Sequence, residues 1–175
     1  MPPLKQTADY FQCIRDLIFT PEVLSMSEIP QHVDINCLFH SIFVSYVSFR
    51  ICQALGWNAA AAARGGLLHD LFLYDWRQKG SHEGLHGFTH PQAALRNASD
   101  LCELTDLEKD IIVKHMWPLT ISKMPKHRET FVVSCADKLC ALAEMFHIYH
   151  ALHMGLRLAL ASGLLQPLRE ETRDG

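Results

Sequence analysis

The stretch GGLLHDLFLYDW, Gly65 to Trp76, sets one carboxylate, Asp70, inside a run that otherwise belongs in a protein interior. A carboxylate taken out of water costs several kcal/mol unless something pairs with it. No Lys or Arg stands on the same helix face within one turn of Asp70. Any fold that buries this run must therefore bring Asp70 its partner from a distant part of the chain. His69, beside it, faces the same requirement.

The rest of the chain repeats apolar residues at helical spacing, and no stretch alternates convincingly at period two. Thr7 to Phe19 reads as a short amphipathic helix, ended near Thr20-Pro21. Ser25 to Val33 reads as a loop. Asp34 to Leu55 is a long apolar helix closed by Gly56. Asn58 is a suitable N-cap for a helix from Ala59 to Tyr74, which opens on five alanines. Asp75 to Phe88 is loop-like, with Gly80, Gly84 and Gly87. Thr89 then caps a helix running to about Leu101 that tolerates Pro91 early on. Thr105 to Glu108, TDLE, matches a capping box and starts a helix through His115 that Pro118 stops. Lys126 to His153 reads as one long helix and is followed by another to about Leu165. The tail REETRDG is expected to fray. Phe43, Val47, Leu139, Leu142 and Met145 are read as core. The expected fold is a single all-α domain over residues 1–175, a bundle of six to eight helices.

Composition narrows the function. A formal net charge of −3 leaves no electrostatic footprint for duplex nucleic acid or an anionic membrane. Six scattered cysteines without a C-x-x-C pair read as reduced, mostly buried thiols. With no apolar N-terminal leader and no apolar run of membrane-spanning length, the expected location is cytoplasmic. Eleven histidines are the oddity, and imidazole is the commonest ligand for transition metals. His40, His90 and His115 and a second buried acid, Asp137, stand in apolar helical contexts. Each taken singly reads as a hydrogen-bonded core residue. Taken together, two buried acids among neutral imidazoles suit a divalent ion.

The order His40, then His69-Asp70, then Asp137 resembles the HD-domain superfamily of metal-dependent phosphohydrolases, over about residues 35–145. His90-Pro91 with Ala94 and Leu95, and DIIVKHMWP with His115, resemble the histidine helices of its two-metal members. The combination of LLHDLFLYDW, HGFTHPQAAL, IIVKHMWP and ADK looks like a group of small stand-alone bacterial HD proteins. The resemblance implies that His40, His69, Asp70 and Asp137 hold a first metal. Asp70 would bridge to a second, bound also by His90 and His115. The chain departs from the branch that cleaves cyclic dinucleotides: Met116 replaces a second histidine, Leu73 replaces a lysine, and no Gly-Tyr-Pro follows His115.

Four imidazoles and two carboxylates suit one or two ions of Fe, Mn, Co, Ni or Zn better than Mg or Ca. Asp70 is also read as catalytic. Lys138, Arg128 and Lys114 are candidates for gripping phosphate, and His86 for substrate contact or general acid, in preference to His82. Arg64 reads as half of a structural pair. His147, His150 and His153 form a third cluster at helical spacing, read as a polar face. The expected activity is hydrolysis of a nucleotide or other small phosphate ester. Alternatives on the same residues are a di-iron oxygenase, or a metal-stapled sensing or scaffold domain without turnover. Oligomeric state stays open.

Overall fold

The computed structural model describes residues 4–32, 35–78, 80–81, 83–148, 159 and 162. Seven helices lie among the described residues: α1 (Leu4–Ile14), α2 (Pro21–Ser25), α3 (Cys37–Ala54), α4 (Ala59–Leu68), α5 (His86–Leu101), α6 (Asp106–Lys114) and α7 (Arg128–Met145). A 3-10 turn (Met26–Glu28) follows α2. The two strands β1 (Pro30–His32) and β2 (Ile35–Asn36) pair antiparallel, Pro30 opposite Asn36 and His32 opposite Ile35. This mostly helical architecture is the expected one. The hairpin is too short for its alternation to be read from sequence. No helix among the described residues is long and apolar enough to cross a membrane.

Capping residues set the helix starts. Asn58 accepts from the Ala61 amide at 3.0 Å, and Thr105 with Glu108 forms the expected capping box. Asn36 accepts from the Phe39 amide, so α3 begins at Cys37 rather than Asp34. α5 begins at His86 rather than at Thr89. Leu85 is extended, and its carbonyl takes the Phe88 and Thr89 amides and the Thr89 hydroxyl. Gly56, at φ +67°, turns the chain after α3 as expected.

Two helices stop earlier than their apolar patterns suggest. α4 ends at Leu68. The Asp70 carbonyl is taken by the Cys37 thiol and the Phe72 amide, the Leu71 carbonyl by Asn97, and Leu73 is left-handed. α7 ends at Met145, with His147 at φ +57°. Beyond Ile148, and apart from Ala159 and Ser162, the expected continuation to His153, the helix to about Leu165 and the fraying tail lie outside the described residues.

α3 and α4 form the centre of the core. Tyr10 on α1 donates to Ser45 on α3 at 2.9 Å, and Ser45 donates to the Ala63 carbonyl on α4 at 2.6 Å. Gly66 is where the two helices touch: a Cβ there would lie 2.9 Å from the Ser45 Cα. Backbone cannot give way as a flexible side chain can. Gly66→Ala is therefore expected to cost about 1–3 kcal/mol, read as a lowered urea midpoint with an unchanged m-value.

α7 presents an unexpected face. Val133, Ala136, Cys140 and Glu144 turn inward, while Leu139, Leu142 and Met145 are exposed, contrary to their assignment to the core. Asp137 and Glu144, seven residues apart, share a helix side, and both meet His40. That contact commits α7 to this orientation. All six cysteines are unpaired thiols; Cys37, Cys52 and Cys140 are buried, and Cys135 is exposed on α7. Arg64 makes the expected structural pair, bridging Asp16 at 2.7 Å and Glu108 at 2.8 Å.

Candidate metal centre

Five separate elements deliver the six predicted ligands to one place. His40 comes from the first turn of α3, His90 from α5 and Asp137 from α7. His69 and Asp70 follow the end of α4, and His115 follows the end of α6. His40 Nε2 lies 3.2 Å from Asp137 Oδ1, and His69 Nε2 lies 3.8 Å from the same oxygen. Asp70 divides its two oxygens. Oδ2 is 3.4 Å from His69 Nε2, while Oδ1 is 3.3 Å from His90 Nε2 and 3.7 Å from His115 Nε2. Two trios have ligand atoms close enough together to hold an ion: His40, His69 and Asp137, and His69, Asp70 and His115.

The imidazoles are held by their outer nitrogens. His69 Nδ1 donates to the Gly66 carbonyl, His90 Nδ1 to the His86 carbonyl, and His115 Nδ1 to the Ile112 carbonyl, each at 2.8 Å. A carbonyl only accepts, so in each ring the proton sits on Nδ1 and Nε2 is a bare lone pair unless the ring is charged. His69 and His115 use carbonyls that the ends of α4 and α6 leave unpaired, so each helix terminus orients its own ligand. His40 Nδ1 lies 3.0 Å from Glu144 Oε2 and 3.1 Å from Oε1. A ligating histidine steadied through its second nitrogen by a carbonyl or carboxylate is the common arrangement at metal sites.

The chemistry of this donor set fits a cation. His69 Nε2 is buried without a hydrogen-bond partner. The Nε2 atoms of His90 and His115 face each other at 2.9 Å. Two lone pairs at that separation need a positive charge between or beside them. A proton is disfavoured on His115: burial, with His69 and His90 beside it, pushes its imidazole down to about 3. Burial also works against the charged forms of His69 and His40. The carboxylates Asp70 and Asp137 outweigh it at His69, and Asp137 with Glu144 holds His40 up at about 10. Asp70 and Asp137 lie well below the ordinary carboxylate range despite their burial, because imidazoles surround both. Both acids are thus held in the ionised form, and the Nε2 edges of the imidazoles point at them.

The family model of the HD domain matches residues 38–142, more than half of the chain. The chain belongs to the HD-domain family. The matched span includes all six predicted ligands. No curated protein and no solved structure matches the chain.

The HD site opens into a cavity of about 290 Å³. Asp70, His90, His115 and Asp137 line it together with Trp76, His86, Met116 and Lys138. Lys138 Nζ donates to the His115 carbonyl at 2.7 Å and to Asp137 Oδ2 at 3.2 Å. His86 stacks on His90, ring centroids 4.6 Å apart, and on Trp76 at 5.5 Å, and its Nδ1 is 3.2 Å from the Tyr74 hydroxyl. Lys138 and His86 therefore stand beside the six candidate ligands.

Arg128 does not join them. Nine residues before Asp137, it sits half a turn round α7 and roughly 13 Å along the axis. There its guanidinium lies 4.7 Å over the Trp57 ring and 3.5 Å from Glu129. Lys114 is likewise occupied elsewhere, paired with Asp110. His147 is exposed beyond α7. His82, His150 and His153 lie outside the described residues.

Two residues of this HD centre escape sequence reasoning. Glu144 carries a signal in principle, an acid seven residues after Asp137 on an apolar helix. Gln31, in a proline-bearing stretch with no helical pattern, carries none. Its Nε2 donates to Asp70 Oδ2 at 2.6 Å.

Proposed function

We propose that this HD-domain chain is a metal-dependent phosphohydrolase acting on a nucleotide or another small phosphate ester. The observation that carries the reading is the set of inward Nε2 atoms of His69, His90 and His115 grouped on Asp70 beside an open cavity. His40, His69, Asp70, His90, His115 and Asp137 would hold one or two ions of Fe, Mn, Co, Ni or Zn. Such an ion, when bound, makes hydroxide available at neutral pH and polarises phosphoryl oxygens.

The chain's own groups supply the rest. Lys138 is fixed by two acceptors and keeps a third N–H for a phosphoryl oxygen. His86, held by Tyr74 and Trp76 beside His90, would pass a proton to the departing oxygen. Trp76 gives the cavity a flat apolar side that suits a nucleobase.

Lys138 is the one Lys or Arg among the described lining residues. A monophosphate is thereby expected to be preferred over a triphosphate, whose extra charge meets no second Lys or Arg among the described lining residues. Lys138→Met is expected to lower kcat/KM for a monoester about tenfold to a hundredfold, the worth of a charge-assisted hydrogen bond.

The test is elemental analysis of protein purified without chelator, joined to a panel of nucleoside mono-, di- and triphosphates and cyclic dinucleotides. Bound transition metal with ester turnover supports the reading. Coupled irons with oxygen uptake and no ester turnover would replace it with an oxygenase. Bound metal with neither activity would leave a metal-stapled binding domain.

A further inference from the structure

The carboxamide of Gln31 is spent in an unusual way. Its Nε2 makes the short bond to Asp70 Oδ2, and its Oε1 is buried with no partner. A buried acceptor without a donor costs stability, so nothing in the burial of this side chain explains its presence. The strand that carries it is anchored on the preceding residue as well: the Pro30 carbonyl accepts from Trp76 Nε1 at 3.1 Å. β1 is thus pinned to the two residues, Asp70 and Trp76, that bound the cavity from the α4 side.

The Asp70 oxygens face different imidazoles. Oδ2 is the one toward His69 and Oδ1 the one toward His90 and His115. A carboxylate turns readily about its last torsion unless one oxygen is held. Gln31 holds it. We propose that Gln31 is a positioning residue for the metal centre: by fixing Oδ2 it keeps Oδ1 presented to His90 and His115, so that one carboxylate serves both halves of the site. The proposal rests on the metal-site reading. It goes beyond the family match, whose span of residues 38–142 leaves Gln31 out. The unpartnered Oε1 agrees with this role, because it marks a side chain kept for its donor and not for its packing.

The test titrates metal-stripped protein with Mn(II) alone, by calorimetry and by chelator competition, and follows urea unfolding of the same samples. Two variants are compared with wild type. Gln31→Leu keeps the bulk and removes both polar atoms. Gln31→Asn keeps the amide but is a methylene too short to make the bond. Both are expected to weaken Mn(II) binding about tenfold to a hundredfold, the usual effect of losing a group that orients a ligand. Each variant takes a donor from the buried Asp70 carboxylate, so the unfolding midpoint of the metal-stripped protein is expected to fall in both. Arg64→Met, which breaks a structural pair that touches no metal ligand, is the control, expected to lose midpoint but keep Mn(II) affinity. Wild-type affinity in either variant overturns the proposal. So does an equal affinity loss in Arg64→Met, which would make the effect of Gln31 merely one of stability. No ester enters the titration, so wild-type protein that binds Mn(II) yet hydrolyses nothing would defeat the proposed function and leave this inference intact.

Discussion

Alanine in place of Asp70 is expected to leave the protein without stoichiometric metal and to cut ester hydrolysis on the order of 10³-fold or more. Asp70 meets His69 and Gln31 through one oxygen and His90 and His115 through the other. Without it, three Nε2 atoms converge on a space that keeps only the Asp137 carboxylate, and the His90–His115 side has no acid at all among these contacts. Neutral imidazoles alone must then balance a divalent charge. Elemental analysis after chelator-free purification reads the effect directly. The fold should survive, because Asp70 lies beyond the end of α4, but at a lowered midpoint, because a carboxyl held well below its ordinary range by His69, His90 and His115 stabilises the folded state. Far-UV circular dichroism is the control. An Asp70→Ala protein that still carries one metal per chain would falsify the assignment of Asp70 as the shared ligand.

The helices and the chemistry of the site were legible for the same reason: both are written in local patterns. Asn58, Gly56 and TDLE act on their own neighbours, so their effect can be read without knowing the fold. A His-Asp step in an apolar run demands a partner wherever the run packs. What could not be read depends on contacts between distant segments. The helical pattern runs on through Leu71 and Phe72, but the Gly66 carbonyl is taken by His69 Nδ1, the Leu71 amide goes back to Leu68 and the Phe72 amide to Asp70, while Cys37 and Asn97 hold the Asp70 and Leu71 carbonyls. This is why His69 and Asp70 stand on a helix terminus and not in a helix. Leu139, Leu142 and Met145 look like core by composition alone. They are exposed because the acid side of α7 is committed to His40. Arg128 shows the converse: a suitable charge on the right helix, placed half a turn away from the site by the helical repeat. Gln31 is the extreme case, since a glutamine in an irregular stretch looks like any solvated loop residue until the loop is folded against Asp70.

Removing the Glu144 carboxylate is the second large effect expected. Glu144 is 2 % exposed, and both its oxygens lie within 3.1 Å of His40 Nδ1. In metal-free protein, His40 is held up at about 10 against the pull of burial, by Asp137 and Glu144 together. A histidine pKa raised on folding stabilises fully below the unfolded value of about 6.5, and that contribution is lost as pH rises through the folded value. Glu144→Ala, breaking one side of a buried pair, is therefore expected to cost metal-stripped protein about 3–5 kcal/mol near pH 6. The gap from wild type should narrow as pH climbs from 6.5 toward 10. Glu144→Gln keeps an oxygen for the Nδ1 proton and should lose less. With metal on His40 Nε2 the ring is neutral, so the loaded protein should show a flatter pH dependence and, in Glu144→Ala, metal affinity weakened about tenfold to a hundredfold. Urea midpoints at several pH values, with and without metal, separate these effects. If Glu144→Ala matches wild type in both midpoint and metal affinity, then His40 is oriented by α3 alone and Glu144 is a passive occupant of the core.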